Sequence, residues 1–409
     1  MLQQKTIDII KSTVPVLEEH GEAITKKFYE LMFANHPELL NIFNHANQKQ
    51  GRQQKALASA VYSAAKYIDQ LEVIVPVVTQ IAHKHRSLGI KPEHYPIVGK
   101  HLLLAIKEVL QNAATEEIMT AWEQAYGVIA EAFIQVEHNL YQHAEGQQGG
   151  WKDFREFKVD KIVKESDVIT SFYFVPVDEG KIAAFTSGQY ISLKLKNIPG
   201  ETNTHIRQYS LSISPNEEFY RISVKREDSL NNKPAGVVSN YLHNNVNVGD
   251  IVEISAPAGE FILAEQAEKP TVLLSGGVGI TPMLSMLHHL ADKNQETIFI
   301  HAAVNGNVHA FKEEVEKIVD QNHSISSYYC YEKPAHLDKE NKVYQKEGYI
   351  TSEWLEDVIL DKQSIFYMCG PVSFMQAMYE ALLEVGISND NIHFEFFGPA
   401  MELKQPHKA

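Results

Sequence analysis

The sequence predicts three domains of different fold class: an all-α domain, a small antiparallel β-barrel, and an α/β domain built on a parallel sheet. Three observations predict this order. Apolar residues follow a helical spacing from Thr6 to about His143, and after the glycine-rich stretch 146–150 the spacing changes to the alternation typical of strands. From Lys269 onward, strand-like runs alternate with helical ones, which is typical of a parallel sheet covered by helices. We place the domains at residues 1–146, 151–265 and 268–409.

The composition indicates a globular, cytoplasmic protein. The 409 residues exceed what one hydrophobic core usually holds, and 44% hydrophobic against 22% charged residues argues against long disorder. A net charge of −15 disfavours nucleic acid and anionic membranes as partners. No secretion signal or bilayer-spanning apolar run is visible, so we expect no integral membrane association, and we expect a monomer. Two cysteines, Cys330 and Cys369, are too few for a disulfide framework and wrongly spaced for a zinc site, so we expect both to be reduced and to lie in strands.

The first domain is predicted to consist of helices separated by breaks. We place these breaks at Gly21, His36-Pro37, Gly51, Gly89 to Pro92, and Asn112. Within the segment from 71 to 87, apolar residues recur on one face at steps of four, three and four. They are Ile74, Val78 and Ile81, and His85 closes the stripe. His83 falls on a different face, where we expect a solvated histidine.

A flat prosthetic group is favoured by the helix predicted from Arg52 to Ile68. One face of this helix carries the polar Gln53, the apolar Leu57, and two small residues, Ala60 and Ala64. Phe28 and Tyr29 precede it on another helix, and Phe43 lies in the bend between them. A lone histidine on an apolar face is more often a packed core residue, and Phe28, Phe43 and Leu57 are also ordinary core types. Tyr29 and Gln53 are harder to explain in this way, so together these residues favour a haem pocket with His85 as the iron ligand.

The middle domain carries groups suited to a flavin nucleotide. We predict strands at 154–163, 169–176, 190–196, 208–213, 220–226 and 251–256. Arg207 offers a fork of donors for phosphate, Tyr209 offers a flat ring for the isoalloxazine, and the Ser210 hydroxyl can reach the ring nitrogens. Gln208 and Tyr190 belong to the same predicted site. A helix start at Gly236, carrying Val238 and Ser239, offers backbone N–H groups to a pyrophosphate.

The third domain presents two turns at the carboxyl ends of predicted parallel strands. Strands at 271–275, 297–304 and 364–369 precede helices starting at Thr281, His309 and Val372. Ligands bind at such strand ends, and a helix N-terminus favours phosphate. The residues of the two turns are Gly276, Gly277, Val278, Gly279, Ile280, Thr281 and Pro282 in the first, and Cys369, Gly370 and Pro371 in the second. Because glycine turns also occur for steric reasons alone, the presence of both turns after a flavin domain is the stronger argument for a nicotinamide site.

The last predicted strand, 391–397, ends in residues that we assign to the flavin side of this site. They are Glu395, Phe396, Phe397, Gly398 and Pro399, and an aromatic ring here can cover the flavin until the nicotinamide displaces it. A packed phenylalanine pair on an edge strand is an equally good explanation of the same residues. The turn 305–307 contains no arginine to pair with a 2′-phosphate, which favours NADH over NADPH.

The chain as a whole resembles a known family. Phe28-Tyr29, Phe43, Gln53, Leu57 and Lys84-His85 match the pattern of bacterial globins, the order of the flavin motifs is similar to the ferredoxin-reductase flavin domain, and together they resemble the flavohaemoglobins, the nitric oxide dioxygenase family. The match covers essentially the whole chain. The chain departs from the ferredoxin-reductase flavin domain in one place, a longer stretch at 229–235 before Gly236.

The resemblance implies roles for individual residues. His85 is the implied proximal iron ligand, with Tyr95 and Glu137 paired around it, and Tyr29 and Gln53 line the distal side, where they can hydrogen-bond dioxygen. Without the resemblance, Tyr95 is an ordinary aromatic at a helix start and Glu137 a solvated helix residue. Cys369 is placed where nicotinamide meets flavin, although its thiol also suits a small buried apolar residue.

The implied cofactors are haem b, FAD and NAD(P)H. The implied reaction is the oxidation of nitric oxide to nitrate by dioxygen at the haem, with electrons passing from NAD(P)H through FAD. Two alternatives stay open: a haem peroxide or hydroperoxide reductase, and an oxygen carrier or redox sensor that keeps its own iron reduced.

Overall fold

The computed structural model describes residues 2–43, 48, 51–230, 233–264, 269–398 and 403. These residues cluster into two compact units. One contains Met1–Arg155, Ser192–Arg207 and Gly398–Ala400, and the other contains Glu156–Ile191, Gln208–Phe397 and Met401–Ala409. The first unit is dominated by helices and the second by β-structure.

The N-terminal part is helical, as the sequence predicts. Its α-helices are α1 (Gln4–Ser12), α2 (Val14–Asn35), α3 (Arg52–Lys66), α4 (Val75–Leu88), α5 (His94–Leu110) and α6 (Glu116–Gly146). Buried residues of these helices form one core that includes Ile24, Met32 and Ile106. The described chain is therefore an all-α fold up to the glycine-rich joint.

One predicted helix break is wrong. Helix α2 continues through Gly21. A Cβ atom placed on Gly21 would lie 3.4 Å from Cβ of Ala58 in α3, an ordinary van der Waals contact. Gly21 therefore faces α3 across a contact between helices, which a helix pattern read along the chain does not reveal.

A six-stranded antiparallel sheet follows. Its strands are β1 (Phe154–Lys164), β2 (Ile169–Pro176), β3 (Tyr190–Leu195), β4 (His205–Ser210), β5 (Tyr220–Lys225) and β6 (Ile251–Ser255), in the spatial order β4-β3-β6-β1-β2-β5. A bridge between Leu211 and Ile222 joins the chain next to β4 with β5, so the two edges of the sheet meet, as a barrel requires. Helix α7 (Val237–Asn245) starts directly after Gly236, as predicted.

The last part of the chain is a parallel sheet. Its strands are β7 (Thr271–Gly276), β8 (Thr297–Ala303), β9 (Ile325–Tyr331), β10 (Lys346–Glu347), β11 (Ile365–Cys369) and β12 (Ile392–Glu395), in the order β10-β9-β8-β7-β11-β12. The helices between them are α8 (Ile280–Asp292), α9 (Lys312–Gln321), α10 (His336–Asn341), α11 (Ser352–Val358) and α12 (Val372–Val385). Leu273 and Val272 are neighbours in β7 but belong to two separate apolar clusters. Adjacent side chains of a strand point to opposite faces, so each face of the sheet has its own core.

Two further points of this sheet differ from the sequence analysis. No bounds were predicted for strand β9, because its tyrosine- and serine-rich sequence shows little apolar alternation, although Cys330, which lies in it, was expected in a strand. Helix α9 begins at Lys312 rather than at His309, since Phe311 has φ +64° and interrupts the helical path. Among the described residues, no helix combines the length and apolar character needed to cross a bilayer.

Candidate functional site

His85 occupies the last turn of α4. Gly89, in the left-handed conformation at φ +79°, ends this helix, so the chain turns away immediately beyond the histidine. His83 differs from the expectation, because it is half-buried rather than solvated. Burial, aided by the positive charge of Arg86, lowers the pKa of His83 to about 4.

Glu137 joins His85 and Tyr95 in one hydrogen-bonded group. Nδ1 of His85 lies 2.6 Å from Oε1 of Glu137, and the Tyr95 hydroxyl donates to the same oxygen at 2.5 Å. Oε2 of Glu137 is buried and has no hydrogen-bond partner among the described residues. Because the carboxylate accepts the Nδ1 proton, Nε2 of His85 keeps its lone pair and is the atom available to ligate iron.

The protein encloses this group. Glu137 is 2% exposed. Burial and the adjacent carboxylate raise the pKa of the Tyr95 hydroxyl well above its usual value, so the phenol keeps its proton and acts as a donor. The Phe133 ring packs 5.9 Å from the His85 ring, centroid to centroid.

Tyr126 is a supporting residue that the sequence analysis missed. Its hydroxyl donates to the backbone carbonyl of Tyr95 at 2.6 Å. A Cβ on Gly99 would lie 2.4 Å from the Tyr126 ring, so the glycine makes room for this ring between α5 and α6. A glycine in the middle of a helix is the signal that could have indicated such a close approach.

The distal side contains Tyr29 with two amides. Burial raises the pKa of Tyr29, and hydrogen bonds of its hydroxyl with the side chains of Gln53 and Gln48 oppose that rise. Gln48 was not predicted. Oε1 of Gln48 accepts from Nε2 of Gln54 at 3.1 Å, which ties this amide to the start of α3.

The other residues predicted for this pocket form its walls. Phe28 is 2% exposed and meets the Tyr29 ring edge-on, with centroids 4.8 Å apart, and Phe43 does so at 5.8 Å. Leu57 packs against the same core. Lys84, beside His85, donates from Nζ to the carbonyl of Gly398 at 2.8 Å, both in the helical unit.

These residues fit a haem. One group offers an imidazole backed by a buried carboxylate, and a second group offers a phenol and amides beside the rings of Phe28 and Phe43. They do not form the cluster of several ligands that a bare metal ion needs, and no such cluster occurs among the described residues.

The predicted flavin residues lie on strands and a helix start. Nη1 of Arg207 donates to the Ile206 carbonyl at 2.8 Å, while Gln208 and Tyr209 are partly exposed and Ser210 is buried. Tyr190, also buried, bridges Ala258. In α7, Val238 is buried and Ser239 Oγ accepts from the backbone N–H of Glu227 at 3.2 Å.

Glycines are needed in the turn predicted for the nicotinamide site. Gly277 has φ +54°, and a Cβ on Gly279 would lie 2.1 Å from the Cys369 carbonyl oxygen. A Cβ on Gly276 would lie 2.9 Å from the Phe374 ring. The turn therefore packs against the carboxyl end of β11 with no room for a side chain at Gly279, and α8 opens directly from it.

The remaining residues of the turn belong to the first part of α8. Ile280, Thr281 and Pro282 are buried there, and Thr281 Oγ1 donates to the carbonyl of Val278 at 3.0 Å. The residues Gly370 and Pro371 lead from β11 into α12, and a Cβ on Gly370 would come 2.6 Å from the Phe374 ring.

The second turn and the last strand lie side by side. Cys369 is fully buried, and its register partners are Ser275 on β7 and Glu395 on β12. Burial raises the pKa of the Cys369 thiol well above its usual value, so the thiol stays protonated. Strand β12 ends at Glu395, earlier than predicted.

Two aromatic residues follow β12. Phe396 packs against Phe394, and Phe397 is 46% exposed. Pro399, also assigned to this site, lies outside the described residues.

Comparisons with known proteins agree with this architecture. A globin model matches residues 26–133, an oxidoreductase FAD-binding domain model matches 156–262, and an oxidoreductase NAD-binding domain model matches 273–380. The chain therefore carries sites for haem, FAD and a nicotinamide nucleotide, which defines a globin with its own reductase.

Relatives extend over the whole chain. Flavohemoprotein from Bacillus cereus is 56% identical over 99% of this chain and 100% of its own length, and that from Bacillus subtilis is 51% identical over 99% and 100%. The crystal structure of flavohemoglobin from Malassezia yamatoensis, with bound FAD and heme, superposes with a TM-score of 0.84 at 28% identity, over 97% of this chain and all of that one. The FAD/NAD-binding domain of nitric oxide dioxygenase from Vibrio cholerae covers 61% of this chain and 100% of its own, with a TM-score of 0.55 and 39% identity. This chain belongs to the flavohaemoprotein family.

Proposed function

We propose that this protein is a nitric oxide dioxygenase, which uses NAD(P)H and dioxygen to convert nitric oxide to nitrate. The observation that carries the proposal is the shared Oε1 of Glu137, which accepts from both His85 and Tyr95. A bound haem would supply the iron at which dioxygen and nitric oxide meet. The Vibrio cholerae domain that resembles the C-terminal part belongs to a nitric oxide dioxygenase, which supports the same activity here.

The residues on the proximal side would strengthen the iron ligand. A carboxylate hydrogen-bonded to Nδ1 gives the His85 imidazole partial imidazolate character and fixes its tautomer. Tyr95 restrains the same carboxylate through its own hydrogen bond. The chain thereby keeps electron density on the iron ligand, which favours chemistry with dioxygen over simple reversible binding.

The residues on the distal side would hold and polarise dioxygen. The Tyr29 hydroxyl keeps its proton, because burial raises its pKa, and is therefore a donor at neutral pH. Gln53 hydrogen-bonds this hydroxyl, and the ring of Phe43 packs edge-on against the Tyr29 ring. In the C-terminal part, the turn at Gly277 and the N-terminus of α8 would hold the pyrophosphate of the nicotinamide nucleotide.

The organisation of the chain belongs to the same proposal. We propose a haem domain at 1–146, an FAD domain at 151–265 and a nicotinamide domain at 268–409, with NADH as the preferred donor. The protein would act in the cytoplasm as a monomer. Its described cysteines, Cys330 and Cys369, are both buried and unbridged, which suits a reducing compartment.

The test uses the holoprotein with haem and FAD bound. NADH is added without oxygen, the flavin and haem absorption is followed, and nitric oxide is then introduced in air. Nitrate should form in step with nitric oxide loss, with about two nitrates per NADH, since each takes up one electron and a hydride brings two. Idle oxidation of NADH with no nitrate formed would overturn the proposal in favour of an oxygen carrier or sensor.

Peroxide reduction is a second candidate function. The same proximal carboxylate would also assist cleavage of an O–O bond. Measuring NADH oxidation with an alkyl hydroperoxide in place of nitric oxide separates the two reactions. A kcat/KM higher for the hydroperoxide than for nitric oxide would make peroxide reduction the main function.

A further inference from the structure

Arg221 is a buried cation next to the flavin strands. It is the second residue of β5 and is 3% exposed. Its Nη1 and Nη2 atoms donate to Oε2 and Oε1 of Glu314 in α9, at 3.0 and 2.9 Å. Its Nε donates to the Ser212 carbonyl at 3.0 Å. A buried guanidinium is costly unless its donors are matched, and the two-point pairing with Glu314 matches them.

Glu314 receives a further donor from α8. Nε2 of His288 lies 2.6 Å from Oε1 of Glu314. Burial alone would raise the pKa of Glu314, but hydrogen bonds from His288 and Arg221 outweigh it and lower the pKa to about 2. The carboxylate therefore stays ionised and holds β5, α8 and α9 together.

A second bond connects α8 with the barrel. Ser285 Oγ donates to the carbonyl of Ile213 at 2.7 Å. Residues 212 and 213 lie two and three positions after the end of β4, the strand that carries Tyr209 and Ser210. The stretch leaving the flavin strand is thus fixed to α8 by Ser285 and to Arg221 through the Ser212 carbonyl.

These contacts join the two cofactor-binding elements. Helix α8 opens at the glycine turn that fits the nucleotide pyrophosphate, while β4 carries the residues assigned to the flavin ring. A shift of α8 relative to β4 would move the nicotinamide relative to the flavin. Hydride transfer is sensitive to displacements of about 1 Å.

We propose that Arg221, Glu314 and His288 are positioning residues that set the approach of the nicotinamide to the flavin. The reaction concerned moves one hydride from the reduced nicotinamide to the flavin, which oxidises the first and reduces the second, and one further proton comes from water. The inference rests on the reductase half of the proposed function and is independent of nitric oxide.

The experiment follows flavin reduction by NADH in the holoprotein, without oxygen, in a stopped-flow spectrometer. Two quantities are read at each NADH concentration: the limiting rate of flavin reduction and the long-wavelength charge-transfer absorbance of nicotinamide stacked on flavin. For Glu314→Gln we expect a limiting rate lowered about tenfold or more and a weaker charge-transfer band, with the apparent Kd for NADH within about twofold of the parent. Glu313→Gln is the matched control, since it removes the same charge from an exposed neighbour on the same helix.

His288 provides a second test that does not break the buried pair. His288→Gln keeps an N–H donor near Glu314 and should retain the parent rate, whereas His288→Leu should lower it. This pair of variants decides the question if Glu314→Gln does not fold.

Two outcomes would overturn the inference. One is an unchanged limiting rate and charge-transfer band with only a lower melting temperature, which would mark an ordinary structural ion pair. The other is a raised Kd with an unchanged limiting rate, which would mark a binding role. Failure of the parent protein to be reduced by NADH would instead contradict the proposed reductase function itself.

Discussion

His85 and Glu137 are 52 residues apart in the chain, yet Nδ1 of the first lies 2.6 Å from Oε1 of the second. Helices α4 and α6 carry the two residues, and they pack along much of their length. The carboxylate is almost fully buried, so its charge acts in a medium that screens it weakly. The electronic character of the proposed iron ligand would therefore be set by helix packing.

Replacing Glu137 by Gln should weaken the effect of the carboxylate on His85 while leaving His85 in place as the proposed ligand. The amide oxygen can still accept from His85, but the negative charge is lost, and a charged acceptor makes a hydrogen bond about twice as strong as a neutral one. We expect haem to be retained, the haem reduction potential to rise, and nitric oxide turnover to fall about tenfold or more. Spectroelectrochemistry and the iron–histidine stretching frequency measure these effects. An unchanged potential would show that Glu137 only holds the two helices together.

Replacing Tyr29 by Phe should release dioxygen faster. The variant keeps the ring and its contact with Phe28 but removes the hydroxyl donor. Loss of one hydrogen bond of about 1 kcal/mol corresponds to roughly a fivefold faster dissociation, which flash photolysis or stopped flow can measure. Tyr62→Phe in α3 is the matched control. If Tyr29→Phe leaves the rate unaltered, Gln53 or Gln48 is the donor instead.

Replacing His85 by Ala should abolish normal haem ligation while NADH still reduces the flavin. Nε2 of His85 is the imidazole nitrogen that this group offers to iron, and alanine removes it. The haem absorption spectrum and anaerobic flavin reduction are measured on the same sample. His83→Ala is the control two positions away, and its haem spectrum should be that of the parent. A haem spectrum altered by His83→Ala and not by His85→Ala would mean that the ligand assignment is wrong.

The sequence predicted most of the fold because its three parts differ in periodicity. It could not predict the bounds of strand β9, whose serine- and tyrosine-rich sequence shows little apolar alternation and is placed by its parallel pairing with β8. It also placed a break at Gly21, since the close contact with Ala58 lies between helices and leaves no mark along the chain. Local patterns therefore predict whether most segments are helix or strand. Elements such as β9, and a helix that continues through a glycine, depend on tertiary contacts.

The site also contains residues that the sequence could identify and residues that it could not. His85 could be selected from its position on an apolar stripe, but Glu137 and Tyr95 are unremarkable in their own helices and were named only from a resemblance. Gln48 and Tyr126 were missed, because their roles depend on contacts with residues on other helices. Periodicity locates the face of a helix, whereas the partners across that face must come from the packed structure.

Replacing Gly279 by Ala should impair the nicotinamide site selectively. The new Cβ would lie 2.1 Å from the Cys369 carbonyl oxygen, a distance that only a backbone shift can relieve. We expect the KM for NADH to rise about tenfold or more while haem and FAD contents stay at parental values. Titration with NADH reports on the nicotinamide site, and reduction by dithionite reports on the bound haem and FAD without it. Gly127→Ala in α6, where a Cβ meets nothing within 4 Å, should be silent, and a parental KM in Gly279→Ala would mean that the turn does not contact the nucleotide.

Acid should destabilise the parallel sheet through a buried histidine pair. Burial lowers the pKa of His301 to about 3, and burial with the adjacent His301 lowers that of His309 well below its usual value. Ser275 Oγ lies 2.8 Å from Nδ1 of His301, and the two histidine rings are 4.5 Å apart. Both histidines are therefore neutral in the folded protein.

Because the folded pKa values lie below the unfolded value of about 6.5, protons bind more readily to the unfolded chain. The stability from keeping these rings neutral is fully present above pH about 6.5 and is lost as the pH falls towards 3, at up to about 1.4 kcal/mol per pH unit for each histidine. His301→Asn, which can still hydrogen-bond Ser275 but does not titrate, should flatten the decline of the melting temperature between pH 7 and 5. His336→Asn, at an exposed histidine, serves as the control. If the melting temperature falls equally with pH in His301→Asn and in the parent, the pair is already protonated, or opened to water, in the folded state.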